Sequence, residues 1–136
     1  MRVKILCCMA VVAGLISLSS FQKKPVFDLK TSITRGKDLY ITYCMSCHME
    51  SGEGLEGVYP PLAKSDYLMA DKKRSIVQTL KGASGEMKVN GKIYNNDMTG
   101  FELSDQQVSD VLNYVRNSFG NKGDAVTPEL VKTQRK

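Results

Sequence analysis

The stretch Cys44-Met45-Ser46-Cys47-His48 constrains this 136-residue chain more than any other. Two cysteines three apart with a histidine directly after them are the attachment signature of a c-type haem. Chemistry gives the spacing its reason. On a helical turn, positions i and i+3 share a face, so Cys44 and Cys47 can reach the two vinyl groups along one porphyrin edge and become thioethers. The same turn carries His48 beneath the ring, where its imidazole can bind iron. One covalent haem c held by Cys44, Cys47 and His48 is therefore expected. A CxxC pair also serves as a redox dithiol or as half of a zinc site. A dithiol–disulfide oxidoreductase would show a preceding βαβ pattern, and a zinc site would need four ligands. The chain has one histidine and four cysteines in all, and Cys7 and Cys8 lie in a segment expected to be removed.

That segment is residues 1–20. Arg2 and Lys4 precede an uncharged run over residues 5–18, and Ser19 and Ser20 follow. A positive start, an apolar centre and a small-residue end make a secretory signal peptide, and the apolar run is short for a membrane span. Export to the periplasm is expected, with no membrane span in the mature protein. Little more than a hundred residues then remain, enough for one domain. An oxidising compartment would join two free cysteines into a disulfide, so thioether formation both uses and protects them. Without Arg2 and Lys4 the basic residues number 17 against 14 acidic. So small an excess is poor evidence for a nucleic-acid partner, and no nucleic-acid motif is present.

Residues 21–31, with Pro25, read as an extended lead-in, and the domain as residues 32–120. From Ser32 the pattern is helical, with Gly36, Leu39, Tyr40 and Tyr43 on one face. Glycine inside a helix costs about 1 kcal/mol against alanine, so Gly36 marks a place where another backbone comes close. Residues 49–59 hold Gly52, Gly54 and Gly57 and read as a loop ending in Pro60-Pro61-Leu62. An iron-bound histidine donates its second ring hydrogen to an outer acceptor, and the Pro60 carbonyl, twelve residues on, suits that role. Ordinary turn prolines are the plainer reading. Asp66 is expected to cap a short helix through Ala70. Asp71 should cap another that carries Ile76, Val77 and Leu80 inward and stops at Gly82. The run Lys72, Lys73, Arg74 at its start reads as a solvated face rather than a docking patch. Asn90-Gly91 between short alternating segments predicts a β-hairpin over residues 87–94. In the last helix Ser104 and Gln107 form a capping box, Leu103 and Val108 a staple. Its stripe is Val108, Val111, Leu112, Val115 and Phe119, closing at Gly120. Residues 121–136 are mostly polar and are expected to lie along the surface and fray.

The second axial position on the iron decides between carrier and catalyst. Met1 and Met9 leave with the signal peptide, and Met45 and Met49 are tied to the attachment motif, which leaves Met69, Met87 and Met98. Met98 is the first choice because fifty residues after His48 are enough to wrap the ring and a helix follows to anchor it. Met69 reads as core filling. Met/His ligation suits a carrier of raised potential, whereas an open position would suit a haem enzyme or gas-binding sensor.

From about Ser32 to Phe119 the chain resembles class I cytochrome c, and especially the small monohaem domains that stand alone or are fused to copper nitrite reductases and quinoprotein dehydrogenases. The resemblance rests on Gly36 and Tyr40, the CxxCH motif, Tyr59-Pro60-Pro61-Leu62, the ribbon Val89 to Asn95, Met98, and Leu103-Ser104-Asp105 with Asn113-Tyr114-Val115 onward. It implies an all-α fold of four or five helices around one covalently bound haem, with the small hairpin added. It further implies that Gly36 and Tyr40 meet Val111 and Tyr114 where the first and last helices cross. His48 would be the proximal ligand, the Pro60 carbonyl its partner and Met98 the distal ligand. Thr99 stands where the family often has proline, which implies a looser ligand loop. The function implied is one-electron transfer by a monomeric, non-enzymatic carrier that docks transiently with redox partner proteins.

Overall fold

The computed structural model describes residues 26–135; the expected signal peptide lies outside them. The chain forms α1 (Leu29–Tyr43), α2 (Met45–His48), α3 (Asp66–Ala70), α4 (Lys72–Lys81), β1 (Met87–Val89), β2 (Lys92–Tyr94), α5 (Asp105–Arg116) and α6 (Pro128–Gln134). The fold is all-α with one small antiparallel hairpin, and among the described residues no helix is long and apolar enough to cross a membrane.

The core is built on α5. Val108, Val111, Leu112 and Val115 are all buried, each contributing roughly 1.5–3 kcal/mol of gross apolar burial. The capping box at Ser104 and Gln107 is formed in both directions, so two otherwise unpaired amides of the first turn are satisfied. α1 crosses α5 at Gly36. A Cβ placed there would lie 1.9 Å from the Asp110 carbonyl oxygen and 2.8 Å from Tyr114 Cβ, so the helices touch backbone to backbone. Tyr40 stacks on Tyr114 at 5.4 Å. Beside the crossing, the buried Asp110 carboxylate accepts from Ser32 Oγ at 2.6 Å and from Arg35 Nε and Nη2, each at 2.7 Å.

Several boundaries differ from the sequence reading. α1 begins at Leu29, because the Asp28 carboxylate accepts from the Thr31 amide and caps a first turn whose single apolar residue, Leu29, makes no period by itself. α3 is capped by Ser65 rather than Asp66; the Asp66 carboxylate instead accepts from the Asn90 amide, while the Asn90 side-chain oxygen accepts from the Asp66 amide. Asp71 caps α4 as expected, accepting from Lys73 and Arg74 amides. Only Ile76 of its three expected inward residues is fully buried; Val77 and Leu80 are half-buried. α5 ends at Arg116 instead of running to Gly120, and Phe119 takes a left-handed φ of 56°. That turn swings its ring onto Tyr40 and Tyr114 at 5.2 and 5.5 Å.

The largest departure is the tail. Residues 121–135 do not fray. Val126 and Val131 are fully buried, and Asn113 of α5 brackets Val126, its side chain donating to the carbonyl and accepting from the amide. Arg135 bonds the Asp105 carboxylate and the Leu103 carbonyl. Val126, Leu130 and Val131 are too few to signal a packed element, yet they suffice when α4 and α5 leave a groove for them. The sixth helix is the result.

Candidate functional site

The attachment turn follows from α1 without a break. The Cys44 amide donates back to the Tyr40 carbonyl, and the His48 amide to the Cys44 carbonyl, so Cys44, Cys47 and His48 sit on one short turn, α2. The chain then reverses at Met49, whose φ is 64° and whose carbonyl accepts from the buried Tyr40 hydroxyl at 2.5 Å. Residues 49–61 fold back as a tight loop. The Gly54 amide donates to the His48 carbonyl, and a Cβ on Gly54 would lie 2.3 Å from the Tyr59 carbonyl oxygen. This return places the Pro60 carbonyl 2.9 Å from His48 Nδ1. A carbonyl can only accept, so Nδ1 carries the hydrogen and Nε2 keeps its lone pair. His48 is 9% exposed, and burial lowers its pKa against the opposing pull of the Pro60 bond. The neutral imidazole, the form that binds metal, is favoured.

Cys44 and Cys47 are unpaired thiols. Burial, and secondarily the neighbouring Cys47, push the Cys44 thiol up to about 11. Its reactivity is that of a neutral, sheltered SH rather than of the activated thiolate a dithiol enzyme needs.

Both cysteines and His48 open into a cavity of about 490 Å3, within the usual size of cofactor sites. Its walls are mainly apolar and include Val58, Pro61, Leu62, Leu68, Val111 and Val115. Met98 lines the same cavity, and so does Met87; Met69 instead packs against the helical core, near Gly123. The geometry thus brings together Cys44, Cys47, His48, Pro60 and Met98 and leaves Met69 out. Met98 is also held by its backbone. Its amide donates to the Ala83 carbonyl at 2.8 Å and its carbonyl accepts from the Ala83 amide at 2.9 Å. The loop that Thr99 suggested would be loose is fastened through the residue before it.

Sequence reasoning missed one part of the wall. Tyr67, Ser75, Gln78 and Thr79 all line the cavity, and the Tyr67 hydroxyl accepts from Gln78 Nε2 at 3.0 Å. Ser75 and Thr79 turn their hydroxyls back onto the carbonyls of Asp71 and Ser75, so they present little polarity to the space. The signal was the i, i+3, i+4 spacing of residues 75, 78 and 79, obscured because none of the three is apolar. The run Lys72, Lys73, Arg74 is only partly a solvated face: Arg74 lies over the Tyr67 ring at 3.6 Å and donates to the Tyr67 carbonyl, and Lys72 reaches the Ala125 carbonyl.

Two half-buried thiols on one helical turn, an imidazole with Nε2 free, and a mainly apolar cavity facing both define a domain for a covalently tethered porphyrin. The chain belongs to the cytochrome c family, whose model matches residues 33–119. Membership implies a covalently bound haem c and removes the zinc and dithiol readings. Cytochrome c-552 of Thermus thermophilus is 34% identical over 83 residues, covering 57% of this chain and 63% of the relative. The cytochrome c subunit of the quinone alcohol dehydrogenase of Gluconacetobacter polyoxogenes is 32% identical over 94 residues, 68% of this chain and 20% of that subunit. The cytochrome c subunit of gluconate 2-dehydrogenase of Pantoea cypripedii is 30% identical over 109 residues, 74% of this chain and 24% of that subunit. The chain therefore matches under two thirds of the first relative's length and about a fifth to a quarter of the dehydrogenase subunits.

Proposed function

We propose that this protein is an exported monohaem carrier of single electrons, in which Cys44 and Cys47 would anchor the haem through thioethers and His48 and Met98 would bind its iron. The observation that carries this reading is that one cavity is lined by the attachment turn, by a histidine whose Nδ1 is committed to the Pro60 carbonyl, and by Met98. The haem supplies a one-electron Fe(III)/Fe(II) couple. The chain's residues do the rest. The Pro60 carbonyl orients the imidazole and makes Nε2 a stronger donor. A thioether from Met98 raises the potential relative to a harder ligand. The mainly apolar walls would limit the water around the iron, and with it the reorganisation between oxidation states.

Redox partners dock briefly over a small interface, as electron-transfer encounters do. The relatives that are dehydrogenase cytochrome subunits support a dehydrogenase as such a partner. Export by the segment at residues 1–20 places the exchange in the periplasm.

The test uses the exported, haem-loaded protein. A haem-stained band surviving denaturing electrophoresis, and the far-red methionine-to-iron absorption in the ferric state, are expected. Met98→Ala should keep the haem attached, abolish that absorption, lower the potential and open the iron to carbon monoxide, whereas Met87→Ala should do none of these. The reverse pattern would transfer the ligand role to Met87; an unaltered spectrum and potential in both would refute Met/His ligation.

A further inference from the structure

Behind Met98 the chain packs backbone against backbone. The segment carrying this residue forms an isolated antiparallel bridge with Ala83, just past the end of α4. Two glycines make the approach possible. Gly82 closes α4 with φ 85°, and a Cβ there would lie 2.3 Å from the Met98 carbonyl oxygen. Gly100 has a Cβ position 2.6 Å from the Leu80 carbonyl oxygen and 2.7 Å from the Gly82 amide nitrogen. One residue further on, the Phe101 amide donates to the Thr79 carbonyl at 3.0 Å. Residues 98–101 are therefore laid flat on the C-terminal turn of α4 by three backbone hydrogen bonds, over a seam where no side chain fits.

We propose that Gly82 and Gly100 are positioning residues for the axial sulfur. They let the bridge between Met98 and Ala83 close, and the bridge sets how readily the sulfur leaves the iron. This rests on the reading of Met98 as ligand. The physical argument is one of tethering. A sulfur on a loop pinned on both its amide and its carbonyl stays within reach after the bond breaks and recombines before an outside ligand enters. A sulfur on an untethered loop diffuses away and yields the site. The anchor is α4, which is itself fixed through Ile76, fully buried in the core. The rigidity of the ligand thus comes from a helix end far from it in sequence rather than from its own neighbours.

A matched pair of substitutions isolates the effect. Gly82 and Gly85 both have left-handed φ, 85° and 82°, but a Cβ on Gly85 meets nothing within 4 Å. Gly82→Ala and Gly85→Ala therefore both place a side chain at positive φ, and only the first pushes on the Met98 carbonyl; because Gly82 also has ψ −178°, Gly100→Ala, which meets the same seam at an ordinary φ, separates the push from the backbone strain. The 2.3 Å approach must open to at least 3.0 Å. Gly82→Ala should speed the binding of imidazole to the ferric haem severalfold over Gly85→Ala. It should also weaken the far-red absorption while the haem stays attached. Gly100→Ala should act in the same direction, and Gly85→Ala should match the wild type.

If Gly82→Ala and Gly85→Ala bind imidazole at the same rate, the proposal is overturned while the ligand assignment stands. If Met98→Ala itself binds imidazole no faster than the wild type and keeps the far-red absorption, the ligand assignment fails and this proposal with it. Should Gly82→Ala not fold, amide hydrogen exchange in the wild type decides: Ala83 and Met98 amides protected well beyond Asn95 and Asn96 support the bridge, and equal exchange overturns it.

Discussion

Gly36→Ala puts the helix crossing to its severest test. In isolation the change favours α1, since alanine gains about 1 kcal/mol over glycine in a helix interior. The crossing reverses the sign. The new Cβ would sit 1.9 Å from the Asp110 carbonyl oxygen, and real Cβ atoms do not approach below 3.0 Å, so α1 and α5 must part by about 1.1 Å. The obstacle is helix backbone, which cannot swing aside as a side chain would. Parting by that amount carries the hydrogen bonds of Ser32 Oγ and Arg35 to Asp110, now 2.6 and 2.7 Å, beyond useful reach. Overpacking costs about 1–3 kcal/mol, and loss of hydrogen bonds to a buried carboxylate about 1.5–3 kcal/mol. After subtracting the propensity gain, a net loss of about 1.5–5 kcal/mol remains. Urea unfolding of the haem-loaded protein measures it. With a slope of about 1–3 kcal/mol/M, the midpoint should fall by about 0.5 M or more. A midpoint equal to or above that of the wild type would refute the backbone contact at Gly36 and the crossing built on it.

Other changes probe separate parts of the fold. Asp110→Ala should cost about 3 kcal/mol, because Ser32 Oγ, Arg35 and Gln106 all lose their acceptor at a side chain only 3% exposed; Arg35→Ala should cost less, as that guanidinium is 47% exposed. Val131→Ala should cost about 2 kcal/mol in the same urea assay, since the side chain is fully buried; a change near zero would restore the fraying tail. Asp71 titrates below the usual carboxylate range, chiefly because its carboxylate accepts from the Arg74 amide and then from Lys73. Its folded pKa lies under its unfolded value of 3.8, so the unfolded chain binds more protons between the two and the cap stabilises above about pH 4. The difference between the wild type and Asp71→Ala should be present at pH 7 and shrink as pH falls through the folded pKa; a difference that grows with acidity would contradict the cap.

What could be read from the chain alone was whatever rests on neighbours in sequence. Cys44, Cys47 and His48 lie on one turn, so the attachment chemistry and the cofactor are written in five residues. The capping box at Ser104 and Gln107 and the Asn90-Gly91 hairpin turn are equally local, and both formed where the pattern placed them. The apolar period of α5 needed only the identity of its own side chains. Pro60 stands between the two cases: twelve residues from His48, it was nameable as an acceptor, but only the folded loop brings its carbonyl to 2.9 Å from Nδ1.

The tertiary structure decided what depends on partners far along the chain. Asp110 bonds Ser32 across 78 residues, and polar residues joined over that distance leave no period to detect. Val126 and Val131 looked like stray apolar residues in a polar tail until α4 and α5 supplied the groove that buries them. Phe119 left its helical stripe because Tyr40 and Tyr114 offered its ring a better surface than another turn of α5 could. Met98 could be nominated by counting residues, but its fastening to Ala83 required the end of α4 to arrive beside it. Local bonds are encoded by spacing, whereas long-range ones exist only once burial has repaid the entropy of bringing distant segments together.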